Sequence, residues 1–261
     1  MHNKFTIDEP QLTQKDDLRN LWKEAFSDTD AFLDTFDSTA FSPTRCRCIT
    51  LNGKVVAALY WFDCIFAEKK VAYIYAVATA KNFRGQGLCH SLMTDTHHHL
   101  MQQGYAFALL SPATEALFSF YRSLGYKNAT YIKEIDLIKN TLSSPQKDIQ
   151  LRAIHKQEFA KLRRKFLPTG SVIQEEENLE FLATQAYFFA GEDFLLTAHI
   201  DGTHLHGFEF LGEPSLLPYI MQALNCTSAY IRTPGKVMPH TMYYPFVDGI
   251  TVPEYFGFTF D

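Results

Sequence analysis

An arginine and two glycines follow one buried strand of this chain in a pattern that favours phosphate binding. Residues 71–78 are almost all apolar or β-favouring, as expected of a strand covered on both faces. The loop after them contains, in order, Arg84, Gly85, Gln86 and Gly87, and a helical pattern begins at Leu88. A strand, a glycine loop and a helix in this order direct free amides and the positive end of the helix dipole at one point. The spacing therefore predicts an anion site, to which Arg84 adds a positive charge.

Two common phosphate-binding motifs do not fit this loop. A Walker loop needs a lysine and a hydroxyl after its last glycine, whereas Gly87 is followed by Leu88. A dinucleotide fingerprint needs a third glycine where this chain has His90. By itself the loop fits an ordinary strand-to-helix connection as well as a phosphate site, so other residues must decide between them.

A second segment contains a tyrosine that could supply a proton. Residues 107–110 read as another buried strand, which ends at Ser111 and Pro112. A helix over residues 114–124 follows, and Tyr121 lies in it. A tyrosine in such a helix is either a packed core aromatic or a proton donor with a hydroxyl in the site.

Together, the two segments resemble the GCN5-related N-acetyltransferase (GNAT) superfamily. Residues 84–89 are similar to its R-x-x-G-x-G/A signature, with Cys89 where the family usually has Gly or Ala. Residues 120–126 are similar to its F-Y-x-x-x-G-F segment, with Tyr126 in place of the last Phe. The resemblance implies an acyltransferase that uses acetyl-coenzyme A (acetyl-CoA) as cosubstrate and moves the acetyl group directly to a primary amine. It also implies that Tyr121 is the general acid that protonates the departing thiolate.

The resemblance assigns further residues to the site. The coenzyme-binding residues that it implies are Val77, Ala78 and Thr79 for the pantetheine arm, Arg84, Gly85, Gln86, Gly87, Leu88 and Cys89 for the pyrophosphate, and Thr114, where the family often has Asn. The acceptor is expected to contact Asp30, Asp34, Tyr73 and Tyr75. Acidic residues spaced along a helix are also typical of a solvated face.

The general base is not assigned by the resemblance. The family often uses a glutamate on the central strand, where this chain has Tyr73 and Tyr75. Some two-lobed relatives, of the enhanced-intracellular-survival type, use their own C-terminal carboxylate. The residue in that position of this sequence is Asp261.

The elements around these segments predict an α/β (α+β) fold with a mixed central sheet flanked by helices. Helical patterns begin near Thr13 and Asp30, and Asn52 and Gly53 join two strands in a hairpin. Over residues 5–138 the order is strand, two helices, three strands, helix, strand, helix. This order is similar to that of the GNAT fold.

The rest of the chain predicts a second, smaller lobe. Residues 139–148 are polar, include Pro145 and read as a linker. Residues 149–261 repeat the plan of strand, helix, three strands, helix and strand, with a last strand at 255–260. Their loop at 212–215 has no arginine and contains Glu213. We therefore expect a catalytic GNAT domain at 1–138, a linker at 139–148 and a degenerate GNAT-like lobe at 149–261.

Composition limits the partners. The chain has 261 residues and a net charge of −5, which argues against a nucleic-acid partner. No apolar run reaches the roughly 18 residues of a membrane helix, and residues 1–10 do not resemble a signal peptide. Five scattered cysteines fit reduced thiols. We expect a cytoplasmic protein that acts on a small-molecule or peptide amine, whose identity the sequence leaves open together with the oligomeric state.

Histidines suggest no metal site. Neighbours in the run 97–99 point in different directions on a helix. If Asp201 and Gly202 form a turn, His199 is opposite His204 with His206 on the same face, and three imidazoles could bind zinc. Paired histidines on a half-buried strand are the commoner case, so we expect no metal.

Two other functions fit parts of the sequence. A non-catalytic acetyl-CoA-binding protein, acting as a sensor or using the coenzyme structurally, would explain the missing base. Tyr121 argues against that function. An interaction scaffold would not need the phosphate loop with Arg84, Gly85 and Gly87.

Overall fold

The computed structural model describes residues 5–138 and 149–260. Its packing divides the chain into two units. The first contains the chain up to Lys127 together with Met242–Thr251, and the second contains Asn128–Thr241 and the chain from Val252. The predicted linker at 139–148 and Asp261 lie outside the described residues. Both units combine a sheet with flanking helices, which confirms the predicted α/β class.

The elements are numbered in chain order. The strands are β1 (Thr6–Asp8), β2 (Cys46–Leu51), β3 (Lys54–Phe66), β4 (Lys69–Thr79), β5 (Phe107–Leu110), β6 (Lys127–Asn128), β7 (Tyr131–Ile138), β8 (Arg152–Ile154), β9 (Ile173–Gln174), β10 (Tyr187–Ala190), β11 (Leu195–Asp201), β12 (His204–Leu211), β13 (Ser228–Pro234), β14 (Met238–Pro239) and β15 (Met242–Pro245). The helices are α1 (Lys15–Phe26), α2 (Asp30–Thr39), α3 (Leu88–Gln102), α4 (Glu115–Ser123), α5 (Lys156–Phe166), α6 (Glu177–Leu182) and α7 (Leu217–Ala223). None of the helices in the described ranges has the length and hydropathy that a bilayer-spanning helix requires.

In the first unit, β1 to β4 form an antiparallel sheet, β5 is parallel to β4, and β15 is antiparallel to β5. Helix α1 buries Leu18, Leu21 and Trp22, which recur at helical spacing, and ends where Ser27 adopts a left-handed conformation (φ 64°). Helix α2 begins at its cap Thr29, whose hydroxyl accepts a hydrogen bond from the amide of Phe32.

Strand β4 contains a bulge that the sequence pattern did not predict. Tyr75 pairs with Tyr60 and Ala78 pairs with Ala58, so two residues of β4 oppose one residue of β3. Ala76, in the bulge, has φ +50°. Strand β4 pairs with β5 only at Tyr73 and the residue before it. Among the described residues, the ladder between β4 and β5 therefore ends at Tyr73, well before the end of β4 at Thr79.

The sheet of the second unit follows the same plan. Its order is β8, β10, β11, β12, β13, β7 and β14, and only β12 and β13 are parallel. Strand β12 also bulges, because Phe208 lies between the pairs Glu209–Thr197 and Gly207–Ala198. The parallel ladder of β12 with β13 ends at Gly207. A bulge and a short parallel ladder thus recur in both units.

Two strands join a different sheet from the one that their position in the sequence predicts. The prediction placed residues 131–138 in the first domain, but β7 pairs with β13 in the second unit. In the first unit, β15 pairs with β5 instead. The packing units therefore do not follow the sequence boundaries at 138 and 149. An alternating pattern predicts that a strand pairs, but not which sheet edge it joins.

The predicted strand at 255–260 is wrong. These residues are buried, but they form only an isolated bridge, between Tyr255 and Ser171. Side-chain contacts hold the segment: the amide side chain of Gln174 exchanges two hydrogen bonds with the backbone of Phe258. An apolar run of this length indicates burial more reliably than it indicates a ladder.

Candidate active site

The loop after β4 has the conformation that its glycines permit. A short 3-10 turn at Lys81–Phe83 leads into Gly85 and Gly87, which have φ values of +73° and +77°. Side chains other than glycine rarely adopt these angles. No atom lies within 4 Å of where a Cβ would be at either position. Both glycines are exposed, so the backbone is open to close approach by a ligand.

Helix α3 begins at this loop, with Gly87 as its N-cap. The first hydrogen bond inside the helix runs from the amide of Ser91 to the carbonyl of Gly87, at 3.0 Å. The amides of Leu88, Cys89 and His90 therefore precede every acceptor within the helix. Together with the helix dipole, these amides form an anion-binding point.

One guanidinium nitrogen of Arg84 is held by the backbone. Its Nε donates a hydrogen bond of 2.9 Å to the carbonyl of Thr79, the last residue of β4. The terminal guanidinium nitrogens make no ion pair with the described residues, so their charge is available beside the loop. Gln86 is tied to the loop more weakly, by a 3.3 Å bond from Nε2 to the carbonyl of Asn82.

A residue that the sequence did not single out connects helix α1 with this loop. The Oε1 atom of Glu24 accepts a hydrogen bond of 2.5 Å from the amide of Lys81. The contact orients the turn that follows β4. No motif marks Glu24, because its partner is a backbone amide far away in the sequence.

The predicted residues for the pantetheine arm lie at the end of β4. Val77 and Thr79 are half-buried and Ala78 is buried. One side of this segment pairs with β3, at Ala57 and Ala58. The other side is the part of β4 that lacks a β5 partner, so it offers an open row of peptide groups.

Tyr121 is buried in helix α4, with 8% of its surface exposed. Its hydroxyl makes no hydrogen bond with the described residues. Burial raises the pKa of Tyr121, and the nearby Cys89 thiol raises it further. Burial also raises the pKa of Cys89 to about 11. Both groups are therefore protonated at neutral pH, and Tyr121 can act there as a proton donor.

Thr114 has a local structural function. Its hydroxyl caps helix α4 by accepting a hydrogen bond of 3.3 Å from the amide of Leu117. Capping accounts for a hydroxyl residue here without a ligand. A coenzyme contact by Thr114 remains a prediction.

The predicted acidic residues of the acceptor site are engaged by helix α1. Arg19 Nη2 lies 3.1 Å from a carboxylate oxygen of Asp30 and 2.9 Å from one of Asp34. Lys23 also pairs with Asp30, at 2.5 Å. The Lys23 ammonium and then the Arg19 guanidinium lower the pKa of Asp30. Neighbouring cations thus balance this acidic face before any amine arrives.

Tyr73 and Tyr75 form part of an aromatic face of β4. Tyr73 is buried and stacks on Phe62, with ring centroids 6.0 Å apart. Tyr75 is half-buried and meets Trp22 edge to face at 5.7 Å. Strand β4 contains no acidic residue, so a carboxylate base cannot come from it. The other predicted base, Asp261, lies outside the described residues.

The histidine run has one buried member. His97 Nε2 lies 2.7 Å from the hydroxyl of Tyr126, and its ring stacks on Tyr244 at 4.3 Å. Burial, aided by the adjacent His98, lowers the pKa of His97 to about 4. The ring is therefore neutral at neutral pH and belongs to the core.

The predicted register of the second-unit histidines is wrong. His199 pairs with His206, and Asp201 with His204, because the turn lies one residue later than expected. Over residues 5–138 and 149–260, no group of three or more His, Cys, Asp or Glu side chains is arranged to hold a metal ion.

The first part of the chain is similar to a known protein domain. The sequence model of the family described as "Acetyltransferase (GNAT) domain" matches residues 6–129. No curated protein sequence matched the chain.

Solved structures share the fold at low sequence identity. The chain is similar to a GCN5-related N-acetyltransferase from Kribbella flavida, with 16% identity, 93% of this chain and 71% of that one covered, and a TM-score of 0.72. It is similar to a conserved protein of unknown function and probable N-acyltransferase from Enterococcus faecalis V583, with 14% identity, 93% and 73% covered, and a TM-score of 0.76. It is also similar to Eis1 from Mycobacterium abscessus, with 11% identity, 93% and 74% covered, and a TM-score of 0.68.

The family match covers β1 to β5, the glycine loop and helix α4. Residues 6–129 therefore match the model of a GNAT acetyltransferase domain, and the fold of the chain is similar to that of a solved GCN5-related N-acetyltransferase.

Proposed function

We propose that the first unit binds acetyl-CoA and transfers its acetyl group directly to a primary amine of a small molecule or peptide. One observation carries the proposal. Beyond the end of the pairing between β4 and β5, one loop combines the left-handed Gly85 and Gly87, the free amides at the start of α3 and the charge of Arg84.

The residues of the loop fit the coenzyme. The amides of Leu88, Cys89 and His90 and the guanidinium of Arg84 would hold the diphosphate, and the open space at the glycines permits its approach. The free edge of β4 at residues 77–79 would hold the amide groups of the pantetheine arm. When bound, the coenzyme supplies an acetyl group activated as a thioester. Fixing that thioester beside an amine supports the rate by orientation.

Tyr121 supplies the proton of the proposed reaction. Burial keeps its hydroxyl protonated, and the absence of a bonding partner among the described residues leaves that proton free for the thiolate. Tyr73 and Tyr75 are proposed to contact the acceptor. Asp30 and Asp34 are proposed to attract its ammonium group with the part of their negative charge that neighbouring cations do not neutralise.

The proton that the acceptor ammonium loses needs a separate base. Strand β4 offers no carboxylate, and we retain Asp261 as the proposed group. The variant that tests this assignment is Asp261→Asn with an added C-terminal residue. If the assignment is right, this variant should have lower turnover and unchanged acetyl-CoA affinity.

We further propose that the second unit is a degenerate copy that does not bind acetyl-CoA. Its helix α7 has seven residues, with Pro218 in the first turn, where an amide donor is missing. Where β12 and β13 stop pairing, the hydroxyl of Thr233 donates a hydrogen bond of 2.9 Å to the carbonyl of Phe210. In the second unit, this hydrogen bond therefore occupies the edge of β12 that corresponds to the open edge of β4.

All five cysteines are free thiols, which supports the cytoplasm as the proposed location.

Calorimetric titration with acetyl-CoA tests the loop, because the chain offers a matched control. Gly87 and Gly53 have φ values of +77° and +79°, and both have open space around the missing Cβ. Substitution by alanine should therefore cost each a similar folding free energy, about 1 kcal/mol. Gly87→Ala should lose acetyl-CoA affinity, whereas Gly53→Ala in the hairpin turn should keep it.

Turnover is then measured as thiol release from acetyl-CoA over a panel of primary amines, with mass spectrometry of the product. An amine that gains one acetyl group would establish that the protein is an acetyltransferase. Binding without turnover across the panel would favour a non-catalytic coenzyme-binding protein, and no binding by the wild type would contradict the proposal.

A further inference from the structure

The second unit contains a cavity that has no part in the proposed acetyl transfer. Its volume is about 690 Å³, within the range of about 300–1,000 Å³ that is usual for small-molecule sites. Three prolines, Pro168, Pro234 and Pro253, contribute apolar walls. Four polar side chains also line the cavity, namely Tyr131, Lys236, Glu254 and Tyr255, of which Tyr255 already donates its hydroxyl hydrogen bond to Glu209.

The other three polar side chains are available to a ligand. Lys236 and Glu254 carry opposite charges and are exposed, and neither makes an ion pair with another described residue. The hydroxyl of Tyr131 likewise has no hydrogen-bond partner in the described part of the chain. One cavity thus offers an uncommitted ammonium group, an uncommitted carboxylate and a phenol beside apolar walls.

The backbone that carries Lys236 and Glu254 is closely packed. Gly235, next to Lys236, fits so closely against β7 that a Cβ there would lie 2.7 Å from Cβ of Lys133. The amide of Glu254 donates a hydrogen bond of 2.8 Å to the carbonyl of Gly170, and the Glu254 side chain packs over the same glycine. Such preorganisation lowers the entropy that a ligand loses on binding.

We propose that this cavity binds a zwitterionic amino acid or short peptide that has an apolar side chain. Lys236 binds the carboxylate of the ligand and Glu254 binds its ammonium group. The prolines and the ring of Tyr131 contact the apolar side chain. A ligand with a single charge would complement only one of the two groups and leave the other facing an apolar part of the molecule, so charge complementarity favours the zwitterion.

Calorimetry without acetyl-CoA tests the proposal with three probes. They are the dipeptide leucyl-phenylalanine, its N-acetyl derivative, which lacks the ammonium group, and its C-terminal amide, which lacks the carboxylate. Because removal of either charged group of the ligand is expected to lower affinity about tenfold or more, the free dipeptide should bind at least that much more tightly than either derivative.

Two variants assign the charges. Glu254→Gln should lower the affinity for the free dipeptide about tenfold and leave the affinity for the N-acetyl derivative unchanged. Lys236→Met should also lower the affinity for the free dipeptide about tenfold, but it should leave the affinity for the C-terminal amide unchanged. Glu192→Gln, at an exposed acid outside the cavity lining, is the control and should change nothing.

Absence of dipeptide binding, or equal binding of the three probes, would overturn the proposal. Dipeptide binding that neither Glu254→Gln nor Lys236→Met alters would place the ligand elsewhere and overturn it as well. Acetyl-CoA titration of the same variants should match the wild type, so a failure here is separable from a failure of the proposed acetyl transfer.

Discussion

The rings of Tyr121 and Tyr126 meet edge to face at 5.7 Å, yet their hydroxyl groups differ in their partners. The hydroxyl of Tyr126 is bonded to His97 Nε2, whereas that of Tyr121 has no partner among the described residues. Burial raises the pKa of both. Of these two adjacent buried tyrosines, Tyr126 is therefore hydrogen-bonded within the core, whereas the hydroxyl of Tyr121 is available for the proposed proton transfer.

Removing each hydroxyl should give opposite results. Tyr121→Phe should lower kcat about 10²- to 10⁴-fold, because the departing thiolate loses its acid, while acetyl-CoA affinity stays within about twofold. Tyr126→Phe should keep kcat but destabilise the fold by about 1 to 3 kcal/mol, since His97 Nε2 loses its buried partner. Steady-state kinetics and urea denaturation measure the two effects. Unchanged turnover in Tyr121→Phe would exclude it as the general acid.

Arg84→Met should weaken acetyl-CoA binding by about tenfold or more, because the variant cannot make a charge-assisted hydrogen bond to the diphosphate. The remaining affinity should also depend less on salt, since one fewer charge attracts the ligand. Titration at two salt concentrations measures both quantities. Arg152→Met, at an exposed arginine of the second unit, should bind as the wild type does, and equal affinities in the two variants would contradict the assignment of Arg84.

Acid should destabilise the fold partly through His97. Its pKa is lowered to about 4 in the folded chain, against 6.5 as the ordinary value, so the unfolded state takes up the proton first. The free energy of unfolding should therefore fall as the pH drops from about 6.5 and stop falling from this cause below about 4. The whole contribution is at most about 3 kcal/mol.

Urea denaturation across this pH range checks the His97 contribution. His97→Gln should have a shallower decline between pH 6.5 and 5 than the wild type, whatever its absolute stability. His98→Gln, at the exposed neighbouring position, should keep most of the wild-type decline. A parallel decline in wild type and His97→Gln would show that another group is responsible.

The C-terminal segment depends on a buried ion pair. Arg163 bonds both carboxylate oxygens of Glu209, at 2.6 and 2.8 Å, and both side chains are almost fully buried. Tyr255 donates to the same carboxylate at 3.0 Å, and Arg163 lies over the ring of Phe258. Gly257 is required there, because a Cβ would lie 2.0 Å from a Glu209 oxygen.

Breaking this pair should be costly. Glu209→Gln should destabilise the protein by about 3 to 5 kcal/mol, because Arg163 keeps a buried charge without its counter-charge. Glu158→Gln breaks the exposed pair that Glu158, in the same helix as Arg163, makes with Arg152, and it should have little effect. Denaturation of the two variants compares them directly. A Glu209→Gln protein as stable as Glu158→Gln would mean that the buried pair does not hold the segment.

Local features of this protein could be predicted from the sequence because they depend on residues near one another in the chain. The hairpin at Asn52 and Gly53 is one example, since both residues adopt the positive φ angles that its turn requires. The glycine loop and helix α3 are another, since Gly85, Gly87 and the apolar spacing from Leu88 act over a single turn and a single helix. The family resemblance depended on the same segments.

Features that join distant residues were decided by the tertiary structure. The pairing of Asp30 with Arg19, the burial of His97 against Tyr244 and the contact of Glu24 with the amide of Lys81 leave no trace in local sequence patterns. The pairing of His199 depends on where the turn between β11 and β12 lies. That turn is one residue later than the sequence pattern predicts, and this difference changes every partner across the ladder.

The exchange of β7 and β15 shows the same limit at the level of topology. Their alternating side chains determined that both segments become strands. Which sheet each one joins depends on which edge is open and on packing across more than a hundred residues, so the free energy that selects the pairing belongs to the whole fold and not to the strand.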